Sequence, residues 1–125
     1  MFFGRYTITI SNDGMVFNFF KDRLKAGSPY NVIINSEDES KGYHSLIYRF
    51  NDALYENEKK IKSYRVRKDK FLRIPPSYRD LMCGRCFLIG IGNDIELVTH
   101  KSEEKREKEL ENVTLDSLKK EFEKL

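Results

Sequence analysis

The chain has 125 residues, enough for one compact domain or for two short repeats that fold together. Charged residues make up 34% and hydrophobic ones 39%, but the 13% aromatic content supplies core-forming area and argues against disorder. A net charge of +3 does not by itself declare a polyanionic partner, two cysteines exclude a disulfide scaffold, and no apolar run is long enough to cross a bilayer.

Arg5 to Ile10 alternates Tyr6, Ile8 and Ile10 with Arg5, Thr7 and Thr9, the period of a half-buried strand. Asp13-Gly14 then marks a hairpin turn, because glycine accepts a positive φ, and a second strand is expected from about Met15 to Phe19. Phe20 to Lys25 reads as a short helical turn closed by Gly27-Ser28-Pro29. Tyr30 to Ile34 is a third strand, Asn35 to Gly42 a polar loop, and Ser45 to Tyr48 a fourth strand. Asn51 suits a helix N-cap, and Ala53, Leu54 and Ile61 predict a sparse apolar stripe on a helix that follows.

The second half repeats that order. Strands are expected at Ser63 to Val66 and Phe71 to Ile74, around a Lys68-Asp69-Lys70 turn, with Pro75-Pro76 ending the second. Ser77 to Met82 predicts a short helix, and Cys86 to Ile91 and Asp94 to Val98 a strand pair across Gly92-Asn93. From Lys101 the chain reads as helical, with a break expected near residues 112–114. Arg23 aligns with Arg79, residues 32–34 with 87–89, Leu46 with Ile95, and Tyr48 with Leu97. The chain therefore divides into a first repeat over 1–62, a second over 63–111 and a C-terminal amphipathic helix over 112–125. Hairpins this short cannot bury a core alone, so the repeats are expected to share one in a mainly β fold with short helices.

The strongest local charge lies in the second repeat. Lys62, Arg65, Arg67, Lys68, Lys70 and Arg73 face a single acid, Asp69. Alternation puts Arg65 and Arg67 on one strand face beside the lysines of the turn, so several cations could meet phosphates together. A solvated charged hairpin is the plain alternative. Cys83-Gly84-Arg85-Cys86 is a lone C-x-x-C without further ligands or the strand-then-helix context of a redox motif, and reads as a turn with two incidental thiols. Gly90-Ile91-Gly92 lies between strands and is a hairpin, not a nucleotide loop. No nucleophile–base pair is visible, Asp94 and Glu96 read as outward strand positions, and neither an enzyme nor a cofactor or metal is expected. Leu110, Val113, Leu118, Phe122 and Leu125 form an apolar stripe that could pack on its own domain or on a neighbouring subunit.

Three places carry a family resemblance. Ile74-Pro75-Pro76-Ser77-Tyr78-Arg79 is similar to an I-P-x-x-[LF]-R segment, and Gly90-Ile91-Gly92-Asn93-Asp94-Ile95-Glu96-Leu97 to a G-x-G-N-x-[FI]-E-[IL] hairpin. In the first half, Phe3-Gly4-Arg5-Tyr6 and Ser45-Leu46-Ile47-Tyr48 stand in the matching order. Together these resemble the MraZ group of the AbrB-like, swapped-hairpin superfamily. The family hairpin D-x-x-G-R-[IL]-x-[IVL]-P is altered here: Ser11, Met15 and Phe19 replace its Asp, Arg and Pro in the first repeat. In the second, Arg67, Lys70 and Phe71 stand at its Asp, Gly and Arg positions.

The resemblance implies a double-split, swapped-hairpin β-barrel of two pseudo-twofold repeats with a helical tail. It further implies a cytoplasmic, nucleoid-associated regulator of transcription that binds double-stranded DNA. Such a chain acts as a homo-oligomeric ring on tandem repeats near its own division and cell-wall operon, without a small-molecule substrate. The expected DNA contacts are Arg65, Arg67, Lys68, Lys70 and Arg73. The alternative is an assembly or interaction protein of the same fold that has lost DNA readout.

Overall fold

A computed structural model describes the backbone of residues 1–123 and the side chains of residues 1–111. Strand β1 (Phe2–Ile10) leads through the Asp13-Gly14 turn to the short β2 (Met15–Val16) and a 3-10 turn at Lys21–Arg23. Then come β3 (Pro29–Asn35), helix α1 (Ser36–Ser40), β4 (Ser45–Arg49), β5 (Glu58–Arg65) and β6 (Leu72–Arg73). A 3-10 turn at Pro76–Tyr78 runs into α2 (Arg79–Met82), followed by β7 (Gly84–Gly92), β8 (Asp94–Thr99) and α3 (His100–Glu123).

Six strands form one antiparallel sheet in the order β1-β7-β8-β4-β3-β5, while β2 and β6 pair as a separate two-stranded ribbon. Among the described residues neither sheet closes on itself. The two central strands meet with Leu46 opposite Leu97 and Tyr48 opposite Ile95. Exchanging the aligned residues, 46 for 95 and 48 for 97, turns one pair into the other. On either side, β1 from the first half pairs with β7 of the second, and β5, which straddles the division between the halves, pairs with β3 of the first. The first half thus supplies an edge strand to the second.

Strand alternation sorts the side chains onto two faces. Tyr30, Val32, Leu46, Tyr48, Leu88, Ile95 and Leu97 point to one face and join Val16, Leu72 and Ile74 of the ribbon in a single core. The ribbon is fastened there by hydrogen bonds. Tyr48 Oη donates to the Arg73 carbonyl at 2.9 Å, and the Arg73 N–H donates to Tyr30 Oη at 3.2 Å. The other face lies under the start of α3, where Phe87 stacks on His100 with centroids 5.1 Å apart and Ser102 is buried.

Four expectations change. The segment after Asn51 is not a helix: Asn51 Oδ1 accepts from the Ala53 N–H in a turn, and Glu58–Arg65 is a strand bonded to β3. Ile61 packs on the core beside Tyr64, which favours the strand over a helix with the sparse stripe of Ala53, Leu54 and Ile61. Strand β2 stops at Val16 because buried Asn18 bends the chain, its Oδ1 accepting from the Phe20 N–H at 2.9 Å. The polar loop holds α1, capped by Asn35 Oδ1, which accepts from the Glu37 and Asp38 N–H groups. Helix α3 runs through residues 112–114 without a break. Of its apolar stripe, Leu110 is 67% exposed, whereas Val113, Leu118, Phe122 and Leu125 lie outside the described side chains.

Asp94 and Glu96 also depart from the outward reading. Both faces of the central strands are covered, so Ile95 to Val98 are all buried and the acids need partners. Asp94 meets Arg49 at 2.9 Å, and Glu96 meets Arg106 of α3 at 2.9 Å while its other oxygen accepts from Ser45 Oγ at 2.6 Å.

Candidate nucleic-acid interface

The turn between β5 and β6 carries the cations singled out in the sequence. Val66 is buried and exchanges backbone hydrogen bonds with the Gly27–Ser28 turn, its N–H donating to the Ser28 carbonyl and its carbonyl accepting from the Gly27 N–H, both at 2.8 Å. The chain then reverses at Lys68-Asp69, with the Lys70 N–H donating to the Arg67 carbonyl at 3.0 Å. Lys70 adopts φ +61°, and Asp69 Oδ1 accepts from the Phe71 N–H at 3.1 Å. Asn18 crosses from the first half and donates to the Lys70 carbonyl at 3.3 Å.

These residues do not share one face. Arg65, the last residue of β5, turns back and donates to the Gly27 carbonyl at 2.9 Å. Arg67 is half-buried, with one nitrogen 3.1 Å from Asp69 and another 3.6 Å from the Met15 sulfur. Lys68 is exposed at the tip of the turn and Lys70 half-buried behind it. Arg73, opposite Met15 in the ribbon, sets its guanidinium 5.6 Å from the centre of the Tyr64 ring.

Arg67 and Arg73 do converge, on a cleft of about 510 Å³ between the edge strand β5 and the ribbon. Lys62 and Arg79 complete its charged lining, with Tyr64, Met15 and Pro76 as the apolar part, and no carboxylate lines it among the described residues. Lys62 points this way because it pairs with Val32 and so shares the core-side face of the sheet. Arg79 reaches the cleft across Gly14, where an added Cβ would stand 2.4 Å from Arg79 Nε. Neither residue stands out as a site residue in the sequence. Lys62 counts among the basic residues but lies at the end of the segment expected to be helical, and Arg79 is visible only as the repeat partner of Arg23 and the last residue of the I-P-x-x-[LF]-R segment.

The first hairpin has the opposite chemistry. Asp13 Oδ1 accepts from the Met15 N–H at 3.0 Å and from Ser11 Oγ at 2.9 Å. The Met15 N–H, more than any nearby charge, holds the Asp13 carboxyl below its ordinary value. At the opposite sheet edge, beside β1, the matching opening is lined by Phe3, Tyr6, Phe19, Phe20, Asp22 and Arg23. Tyr6 stacks on Phe19 at 4.4 Å, and Phe17 meets both Phe19 and Phe71 edge to face. Phe3, Phe17 and Phe19 remain 67, 44 and 44% exposed, a sizeable aromatic surface.

Cys83 and Cys86 are free thiols: the first is exposed, and burial pushes the second up to about 12. Among the described residues no group of three His, Cys, Asp or Glu side chains gathers as a metal site, and no helix is long and apolar enough to cross a membrane. Comparison of the chain with protein-family models, curated proteins and solved structures returned no match.

Proposed function

We propose that the protein is a MraZ-like, homo-oligomeric DNA-binding regulator of transcription built on the swapped-hairpin plan. The pairing of β1 from the first half with β7 of the second, and of β5, which straddles the two halves, with β3, supports that plan. The observation that carries the functional reading is the β2–β6 ribbon, with Lys68 and Lys70 at the neighbouring turn and Arg67 and Arg73 along its flank. A two-stranded ribbon fits a major groove, and clustered cations displace counterions from phosphates. Binding would be asymmetric, because the first hairpin offers Asp13 and Met15 where the second offers cations. An oligomer compensates for few contacts per subunit by engaging tandem sites together.

The second reading, an interaction protein of the same fold, is favoured by the exposed rings of Phe3, Phe17 and Phe19. Fluorescence anisotropy on a duplex from the chain's own upstream region, at several salt concentrations, separates the two. The double variant Lys68→Gln, Lys70→Asn should weaken binding and lower the log–log salt slope by about 0.9 for each phosphate no longer neutralised. Asparagine suits the positive φ of Lys70, so the turn is preserved. Salt-insensitive binding, or a double variant that binds like wild type, would favour the interaction protein.

A further inference from the structure

The cleft between β5 and the ribbon is a concentration of positive charge beyond the basic turn. Four cationic side chains from four different segments line it: Lys62 from β5, Arg67 from the turn, Arg73 from β6 and Arg79 from α2. Two acids act on them among the described residues. Asp69 holds one nitrogen of Arg67 from outside the cleft, and Asp13 acts on Arg79 through space. The remaining guanidinium and ammonium donors face a space with no carboxylate among its described lining. Like charges held this close repel, and an entering anion relieves that repulsion.

Several of these groups are held in position. Arg67 is gripped by Asp69 and the Met15 sulfur, and Arg73 lies over Tyr64. Arg79 needs the bare Cα of Gly14 to pass, and Gly14 in turn is fixed by the hydrogen bond from the Ile74 N–H to its carbonyl at 2.8 Å. Guanidinium forks match the oxygens of phosphate, and a flexible lysine adds a point charge. The other sheet edge differs in its chemistry. There the aligned Arg23 sits beside Asp22 and four aromatic rings. The cationic character therefore belongs to this edge and does not simply follow from the repeated fold.

We infer that this cleft is a phosphate-binding site, in which Arg79 and Lys62 join Arg67 and Arg73 around a single phosphate or diphosphate group. The phosphate could belong to a nucleic-acid backbone passing the ribbon or to a free phosphorylated small molecule. In the first case the inference extends the DNA-binding reading, and in the second it is independent of it.

The test uses the full chain and two probes, inorganic pyrophosphate by titration calorimetry and the upstream duplex by anisotropy. The variants are Arg79→Gln and Lys62→Gln, each checked for an unchanged melting temperature, with exposed Lys108→Gln on α3 as the control. Both cleft variants should show roughly tenfold or more weaker affinity for at least one probe, and the control should not. Weakening on pyrophosphate alone identifies a free phosphorylated ligand, and weakening on the duplex alone a backbone phosphate. Wild-type protein that saturates with neither probe, or cleft variants that bind both probes as the control does, would overturn the site. The turn variant at Lys68 and Lys70 reports separately on the DNA-binding reading, since neither residue lines the cleft.

Discussion

Arg49 is 3% exposed, yet every one of its five N–H groups has an acceptor. Nε and one terminal nitrogen grip Asp94 at 3.0 and 2.9 Å, and both terminal nitrogens grip Glu58 at 2.6 and 2.9 Å. The last N–H reaches the Ala53 carbonyl at 3.0 Å, and the Tyr55 ring covers the guanidinium at 4.6 Å. The Arg49 hydrogen bonds hold the Glu58 carboxyl below its ordinary value. A lowered carboxyl stabilises the fold above its ordinary value, and that contribution is lost as the pH falls through the lowered one. Replacing Arg49 with Met leaves Glu58 and Asp94 in place without their cation. Urea denaturation at pH 7 should show a loss of roughly 3–5 kcal/mol. At pH 4 the gap to wild type should narrow, because the stranded Glu58 can then take a proton. An equal gap at both pH values would remove the ion pairs from the explanation.

At the scale of elements, the two edge strands are managed differently. Strand β5 carries Lys59, Lys60 and Lys62, and lysines on an open edge discourage pairing with another chain. Strand β1 is the longer edge, and it depends on close approach to β7. A Cβ at Gly90 would lie 2.6 Å from both the Phe2 carbonyl carbon and the Phe3 nitrogen, which are backbone atoms that cannot rotate away. Gly90→Ala should therefore lower stability by about 1–3 kcal/mol or more, read as a drop in melting temperature. Amide exchange along Phe2 to Arg5 should accelerate with it. A variant that melts like wild type would mean that β1 is held from elsewhere. The expected helix after Asn51 failed at this same scale. Its sequence has too few apolar positions to choose a period, and pairing with β3 decided the matter.

For the whole molecule, one core serves both halves, and the second half takes its edge strand β1 from the first. Exposed Phe3 and Ile91 sit opposite each other on β1 and β7, and Phe3 borders the same opening as Tyr6 and Phe19. An apolar surface of this kind beside a free strand edge is expected to associate. Light scattering coupled to gel filtration should give a mass well above 14.8 kDa at micromolar concentration. Phe3→Ser with Phe19→Ser should reduce that mass if this surface mediates the association. A monomeric wild type would remove the oligomeric part of the proposed function.

Most strands were legible in the chain itself, because alternation and turn residues are local signals. Examples are Tyr6, Ile8 and Ile10 in β1, Asp13-Gly14 at the first hairpin, and Gly92-Asn93 at the last. The sequence alignment of 46 with 95 and 48 with 97 is consistent with the central pairing of Leu46 with Leu97 and Tyr48 with Ile95. What the chain could not announce is which charges come together. Lys62 and Arg79 are seventeen positions apart, and only the folding of β5 and α2 onto the ribbon puts them around one cleft. Asp94 and Glu96 looked like outward strand positions until α3 and Arg49 covered their side of the sheet. Local backbone preference is written residue by residue, but burial and charge convergence are set by which elements pack together.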